Sequence, residues 1–391
     1  GTKMDAMNVG TVDGSQATQT ITVMDIDSGR VRYAGAAGGT IRLANFFELE
    51  INSAGQSFSP TAALTVYSDL VRTAGTLAMG GNQLSIRGDV LYTAGALTST
   101  GTVIFEGTAA QTADLANTTL STVSGSKTAG SLTFTSGFTA TTFSVGISKA
   151  FALTFNDTVA GQTTTITTAT VDNTGTFTTG NAATDTVNVT NGLTATAQSQ
   201  VNLWGTVAST NTLISLGDGG TPVVLAANAV ISSGSGTITL GGTVNGGFTL
   251  DLNSTGTTNI NGVVGGTTEP TALTTNAGGT TVIRANVSTD TGAQTYNDAV
   301  TIGAAATLGG INASTLTFNS TVDGANNLTL AMPGATSFVG AVGGSTPIGT
   351  GTGAAITVSS TGTTTFQNTV ETASGITQAG TAGEITFQQD V

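Results

Sequence analysis

The chain has no cysteine and no histidine, only five prolines and one tryptophan, and just 8% charged residues in 391 positions. Without cysteine there are no disulfides, thiolate metal ligands or thiol nucleophiles; without histidine the commonest general base is missing as well. In so long a chain the lack of cysteine accords with bacterial export in an unfolded state. No stretch approaches the roughly 18 consecutive apolar residues that suggest a membrane-spanning helix, so no membrane insertion is expected. Positive charge is scarce, with 9 basic against 22 acidic residues and a net charge of −13. That balance repels phosphate backbones and anionic lipid alike and argues against a nucleic-acid partner. Six of the basic residues, Lys3, Arg30, Arg32, Arg42, Arg72 and Arg87, precede residue 90 without forming a patch.

What is present is glycine, 55 residues of it, with threonine, serine, alanine, valine and asparagine making up most of the rest. β-Branched residues favour strands, and Gly and Asn favour the corners between them. Leu64-Thr65-Val66-Tyr67-Ser68-Asp69 recurs 20 residues later as Leu84-Ser85-Ile86-Arg87-Gly88-Asp89, and Thr73-Ala74-Gly75-Thr76-Leu77 recurs as Thr93-Ala94-Gly95-Ala96-Leu97. Ala34-Gly35 and Ala54-Gly55 keep the same register. A constant short period marks a solenoid whose coils bury apolar faces only against their neighbours.

Three regions follow. Residues 1–29 are irregular, an entering coil or cap, with Ile21 to Asp27 as the first alternating strand. Residues 30–129 hold the 20-residue register, with strands centred on Ile41 to Leu43, Phe47 to Ile51, Leu64 to Val66, Leu84 to Ile86 and Val103 to Phe105. From 130 to 391 a second motif dominates, a large apolar residue followed four positions later by Val. It appears at Phe155 to Val159, Leu203 to Val207, Ile260 to Val264, Ile283 to Val287, Tyr296 to Val300, Phe318 to Val322, Phe338 to Val342, Phe366 to Val370 and Phe387 to Val391. Polar corner formers between the anchors predict a strand ending on an inward apolar residue, a bend, and a new strand opening on an inward Val. Anchor spacings of 23, 13, 22, 20, 28 and 21 from Ile260 to Phe387 average about 21 and are read as one coil each. Above them, Thr243 to Thr268 aligns with Thr321 to Thr346 at an offset of 78, a duplicated block of about four coils.

The expected fold is all-β, a parallel β-helix of about 18 to 20 coils of roughly 20 to 22 residues, with identical residues stacked at about 4.8 Å along a rod of about 85 to 95 Å. Its open edges invite end-to-end growth unless capped.

The 20-residue Ala-Gly register from Ala34 to Gly95 resembles the β-helical repeats of filamentous haemagglutinin-type exoproteins and autotransporter passenger domains. So do the Gly-Gly-Thr-Thr blocks (Gly265 to Thr268, Gly278 to Thr281) and Thr291 to Val300. The likeness covers roughly residues 30–391. It implies a right-handed helix on a secreted bacterial surface protein, and hence an extracellular location. Neither the family's amino-terminal secretion domain nor its translocator barrel is seen, and the chain reads as a segment of something longer.

Candidate sites are few. Arg87-Gly88-Asp89 spells an integrin-type tripeptide, but Asp89 already matches Asp69 in the repeat. Asp25 with Asp27, and Glu48 with Glu50, would put two carboxylates on one strand face about 7 Å apart, as an acid and base pair requires. Arg30, Arg32 and Arg42 are near enough to neutralise them, and solvated outer-face charges are the simpler reading. The Ca²⁺-binding nonapeptide is absent as a repeat, Asp218-Gly219-Gly220 being an isolated fragment, so weak surface calcium association is the only metal contact expected. Trp204 suits core or corner packing, or stacking on a sugar if exposed. The sequons at Asn156 to Thr158 and Asn319 to Thr321 follow from the Thr-rich composition, and Thr or Ser O-glycosylation stays open. No catalytic, cofactor or metal residue is assigned.

The leading expectation is a non-enzymatic extracellular rod or stalk, structural or adhesive, whose partners are host or surface glycans or proteins, or further copies of itself. A subunit of a surface layer, sheath or filament is the alternative. A polysaccharide-processing enzyme on the same coil is the third reading.

Overall fold

A computed structural model describes residues 6–9 (backbone only), 26–35, 37–156, 158–380 and 383–389. Among them there is no helix and every described strand pairing is parallel, so the chain is a parallel β-solenoid, with about 17 turns spaced by about 21 residues. Alternation explains the strands. In Leu316-Thr317-Phe318 the outer two side chains are fully buried while Thr317 faces outward, half-exposed. The coils group into two units, residues 1–181 and 182–391.

In the first unit long strands carry the stack: Glu48–Pro60, Leu70–Gly80, Ala96–Phe105, Thr118–Gly125, Thr139–Lys149 and Thr163–Asn173. Like residues meet in register, Leu49 on Leu70, Leu64 on Leu84 and Val66 on Ile86. The recurring Ala-Gly step bends two of these long strands, Glu48–Pro60 and Leu70–Gly80, and immediately precedes a third, Ala96–Phe105. Gly55, Gly75 and Gly95 all have positive φ (72°, 81° and 86°), and a β-carbon on Gly75 would run into the Ser53 carbonyl oxygen. Glycine is therefore required at that bend for both conformation and space. The strand expected over Ile21 to Asp27 falls mostly outside the described residues, but Asp27 itself lies in an exposed bend.

In the second unit most coils have three short strands on three sides. One side runs through Thr249–Ser254, Ala272–Thr275, Gln294–Tyr296, Leu316–Phe318, Thr336–Phe338, Thr364–Phe366 and Ile385–Phe387. The next carries Thr257–Ile260, Thr280–Ile283, Ala299–Ile302 and Val322–Asp323. The third carries Val287–Thr289, Ala306–Gly310, Leu328–Ala331 and Ile356–Val358.

This arrangement revises the reading of the apolar-to-Val motif. Tyr296, Phe318, Phe338 and Phe366 end the first side, and their Val partners Val300, Val322, Val342 and Val370 open the second. Ile260 and Ile283 end the second side, with Val264 and Val287 on the third. The motif thus marks two different corners, and the 13-residue spacing from Ile283 to Tyr296 is a step within one coil rather than a short coil. The turns found, about 17 at a spacing of about 21 residues, stay close to the 18 to 20 expected from chain length. The block duplication shifts in the same way: Val244 pairs with Val264 on the third side, while its counterpart Val322 pairs with Val342 on the second. An offset of 78 residues moves the block by one side of the coil because 78 is not a whole number of turns.

Two motif positions depart further. Val159 is 61% exposed instead of inward, after Phe155 and a left-handed Asn156 (φ 56°) that leads the chain out into a loop. Leu203 to Val207 contains no polar corner but lies within the single strand Gln200–Ala208, turned by Gly205 (φ 58°). Phe387 to Val391 lies partly outside the described residues, as does Asp157 of Phe155 to Val159.

Candidate functional site

The parallel register assembles the charged residues of the first unit into a cluster. Arg30 pairs with Glu48 and Arg32 with Glu50 across adjacent strands. Arg30 meets Glu48 at 2.5 Å and Glu50 at 3.0 Å, and Arg32 Nε donates to Glu50 at 2.9 Å. Asn52 Nδ2 adds a hydrogen bond at 2.9 Å and the Thr73 hydroxyl one at 3.3 Å. Burial alone would push the Glu50 carboxyl up, but hydrogen bonds from Arg32, Asn52 and Arg30 together hold it below its ordinary value. Glu50 is therefore on the outer face as expected but not solvated, being only 2% exposed beneath its arginines. Arg42 lies apart, exposed, and the Asp25 and Asp27 pair lies partly outside the described residues, which do not include Asp25.

The Arg87-Gly88-Asp89 tripeptide is bound into the stack. Arg87 Nε reaches Glu106 at 2.9 Å and its guanidinium lies 4.6 Å from the Tyr67 ring centre. The Gly88 and Asp89 amides donate to Ser68 O and Asp69 Oδ1, at 3.0 and 2.8 Å, and Asp89 Oδ1 in turn accepts from the Thr112 amide at 2.7 Å. Asp69 and Asp89 act as successive steps of one corner ladder.

Other candidates are used in the same manner. Asp218 Oδ1 accepts from the amides of Gly220 and Thr221, closing its own turn. Those amides, Gly220 first, hold its carboxyl below the ordinary value. Asn319 Nδ2 donates to Asn297 Oδ1 at 2.6 Å, and Asn297 Nδ2 to Thr275 O at 2.7 Å, an asparagine ladder of the expected kind. Asn156 is fully buried and accepts from the Thr164 hydroxyl at 2.7 Å, a poor position for a glycan. Trp204 takes neither core nor corner but an outward, half-buried position in mid-strand. The Ala-Gly steps line a shallow recess of about 420 Å³ formed by Ala54 to Ser57, Ala74 to Thr76, Ala94 to Ala96 and Asn117.

The residues that sequence reading missed are polar ones turned inward. Arg72 is 1% exposed, donates to Ala116 O through one Nη and lies 4.6 Å from the Tyr92 ring centre. Burial lowers its guanidinium to about 10, partly opposed by Asp114 and Tyr92. Lys127 is fully buried, its amine 3.4 Å from Gln111 Oε1. Asp298, inside the Tyr296 to Val300 corner, is 1% exposed and accepts from the Gly279 amide and the Thr281 hydroxyl. In the folded register Arg72 pairs with Ile51 and Tyr92, and Gln111 with Leu132, whereas a strict 20-residue period sets Arg72 against Asn52 and Gln111 against Ser131, so the repeat gave no signal of their burial.

No family model, curated protein or solved structure matches the chain.

Proposed function

We propose that the chain is a non-enzymatic β-solenoid segment of a bacterial surface protein, a stiff extracellular stalk with a structural or adhesive role. One observation carries this reading: the side chains that looked suited to chemistry or recognition are committed to the coil above or below. Asp89 holds Thr112, Glu50 gathers two arginines, and Asn319 continues Asn297. What remains outward is a repeated, weakly charged surface, such as the in-register row Thr274, Thr295, Thr317, Ser337, Thr365 and Thr386. A surface of that kind serves through length and repetition, with glycans or proteins as partners and no cofactor beyond weak calcium association. The likeness to haemagglutinin-type repeats supports the location and the handedness.

Electron micrographs of the purified segment, with sedimentation measurements, test the proposal. Separate particles of uniform length and a monomeric mass are expected. Long polymers would replace it with the filament or layer subunit. Incubation with neutral and acidic polysaccharides should leave them intact; cleavage abolished by Glu48→Gln or Glu50→Gln would overturn the non-enzymatic reading.

A further inference from the structure

Inside the first unit two polar side chains from neighbouring coils meet in the core. Lys127 follows the strand Thr118–Gly125 and is 0% exposed; Gln111 opens the strand Gln111–Ala113 and is 1% exposed. The lysine amine lies 3.4 Å from the Gln111 carboxamide oxygen, its one hydrogen-bond partner among the described residues. The Gln111 amide nitrogen donates to Ile86 O at 3.1 Å and to Gly88 O, which fixes the plane of the carboxamide.

As an ammonium this lysine would be a poorly solvated charge with a single long contact to a neutral acceptor, a costly arrangement in a core. Burial pushes the amine down from its ordinary value, with Asp89 opposing, and so favours the neutral, nucleophilic form. Backbone hydrogen bonds hold both ends in place. The Ser126 and Thr128 amides donate to Phe105 O and Gly107 O, at 2.7 and 3.3 Å, and the Thr112 amide donates to Asp89. Two groups kept this close by the fold meet far more often than free molecules would, which favours reaction between them.

We propose that Lys127 and Gln111 form an intramolecular isopeptide cross-link. The Lys127 nitrogen attacks the Gln111 side-chain carbonyl carbon, a new C–N bond forms, and the bond from that carbon to the amide nitrogen breaks. The proton shed by the attacking amine leaves with the departing nitrogen as ammonia. Atoms and charge balance with no oxidant, reductant or further reactant. The product replaces a buried amine by a neutral amide and closes a loop between residues 16 apart in sequence, tying one coil to the next. This inference stands apart from the proposed function, since a covalent tie between coils would form whatever the outer surface binds.

The intact mass of the purified chain, measured after denaturation, tests it. The expected mass is lower than that of the sequence by one ammonia. A tryptic digest should leave residues 88–149 as one peptide, uncleaved after Lys127, lighter than its sequence by one ammonia and looped between Gln111 and Lys127 in its fragment spectrum. Lys127→Arg and Gln111→Met should each restore the full mass expected for their sequence. A wild-type chain of full mass that is cleaved after Lys127 would overturn the proposal. So would an ammonia loss that maps outside residues 111–127. Both decisive measurements are made on the unaltered chain, so a variant that fails to fold leaves the test intact.

Discussion

Aromatic residues pack in opposite ways in the two units. In the second, Tyr296, Phe318, Phe338, Phe366 and Phe387 form a row with ring centres 4.6 to 5.2 Å apart and planes within 8 to 21° of parallel. In the first, Phe134, Phe138, Phe143 and Phe155 meet at 45 to 81°, 4.7 to 6.3 Å apart. The cause is what each ring finds at its own register position. Phe318 has aromatic rings at the same position on both sides, Tyr296 and Phe338, so the spacing of the strands sets the spacing of the rings. Phe143 has Val123 and Ala169, so space is left that rings from other sides of the coil enter edge-on. A solenoid core is thus a ladder where its repeats agree and a cluster where they do not.

The sharpest way to break this comparison is truncation. Phe338→Ala should cost about 3–5 kcal/mol, because fixed strands on both sides cannot close the hole. Thermal or denaturant unfolding measures it. Double-mutant cycles then separate ladder from cluster. Phe318 with Phe338 should couple by about 0.5–1.5 kcal/mol and Phe318 with Phe366 by almost nothing, whereas Phe143 should couple to Phe134, Phe138 and Phe155 alike. Equal coupling at both distances in the row would undo the ladder.

Next in size is the bend found in the first unit. Gly75→Ala forces a side chain into a left-handed position against the Ser53 carbonyl and should destabilise by roughly 1–3 kcal/mol. Gly247→Ala, with open space around it and no positive φ, is the control in the second unit and should change stability little. A smaller effect of opposite sign is expected within the second unit. The Thr336 and Thr364 hydroxyls are buried in their column without a hydrogen-bond partner, so Thr336→Val and Thr364→Val should each stabilise by about 1 kcal/mol.

The smallest effects are those of pH, and they run in opposite directions. Glu50 titrates below its ordinary 4.5 in the folded chain, so its contribution is present above that value and lost as pH falls through the lower, folded one. Asp298 titrates above its ordinary 3.8, chiefly because burial disfavours the charge and despite hydrogen bonds from Gly279 and Thr281. Its contribution is full below 3.8 and is lost as pH rises through the raised value. Acidification from neutrality should therefore weaken the first unit at Glu50 and strengthen the second at Asp298. Stability profiles of Glu50→Gln and Asp298→Asn against pH should differ from wild type with opposite slopes.

Much of this molecule was legible before any coordinates. Leu64-Thr65-Val66 above Leu84-Ser85-Ile86 is a repeat in sequence and a pair in space, and Asp69 beneath Asp89 follows directly. The corners were harder to read. Ile283 to Val287 and Tyr296 to Val300 are alike in sequence but turn different corners of one coil, since any strand that ends on an apolar residue and bends can use the same pattern. Glu50 was placed on the correct face and its burial missed, because the arginines that cover it come from the strand alongside.

By itself the amino-acid order determined that short alternating strands recur at nearly constant intervals, and therefore that they stack in parallel. Repetition in one direction leaves that as the arrangement in which each strand's backbone groups meet those of the next. Only the folded chain decided which side of the coil each motif occupies and which polar groups turn inward. A corner residue faces core or solvent according to the length of its bend and the coil beneath it, and that is how Lys127, Gln111, Arg72 and Asp298 came to be enclosed.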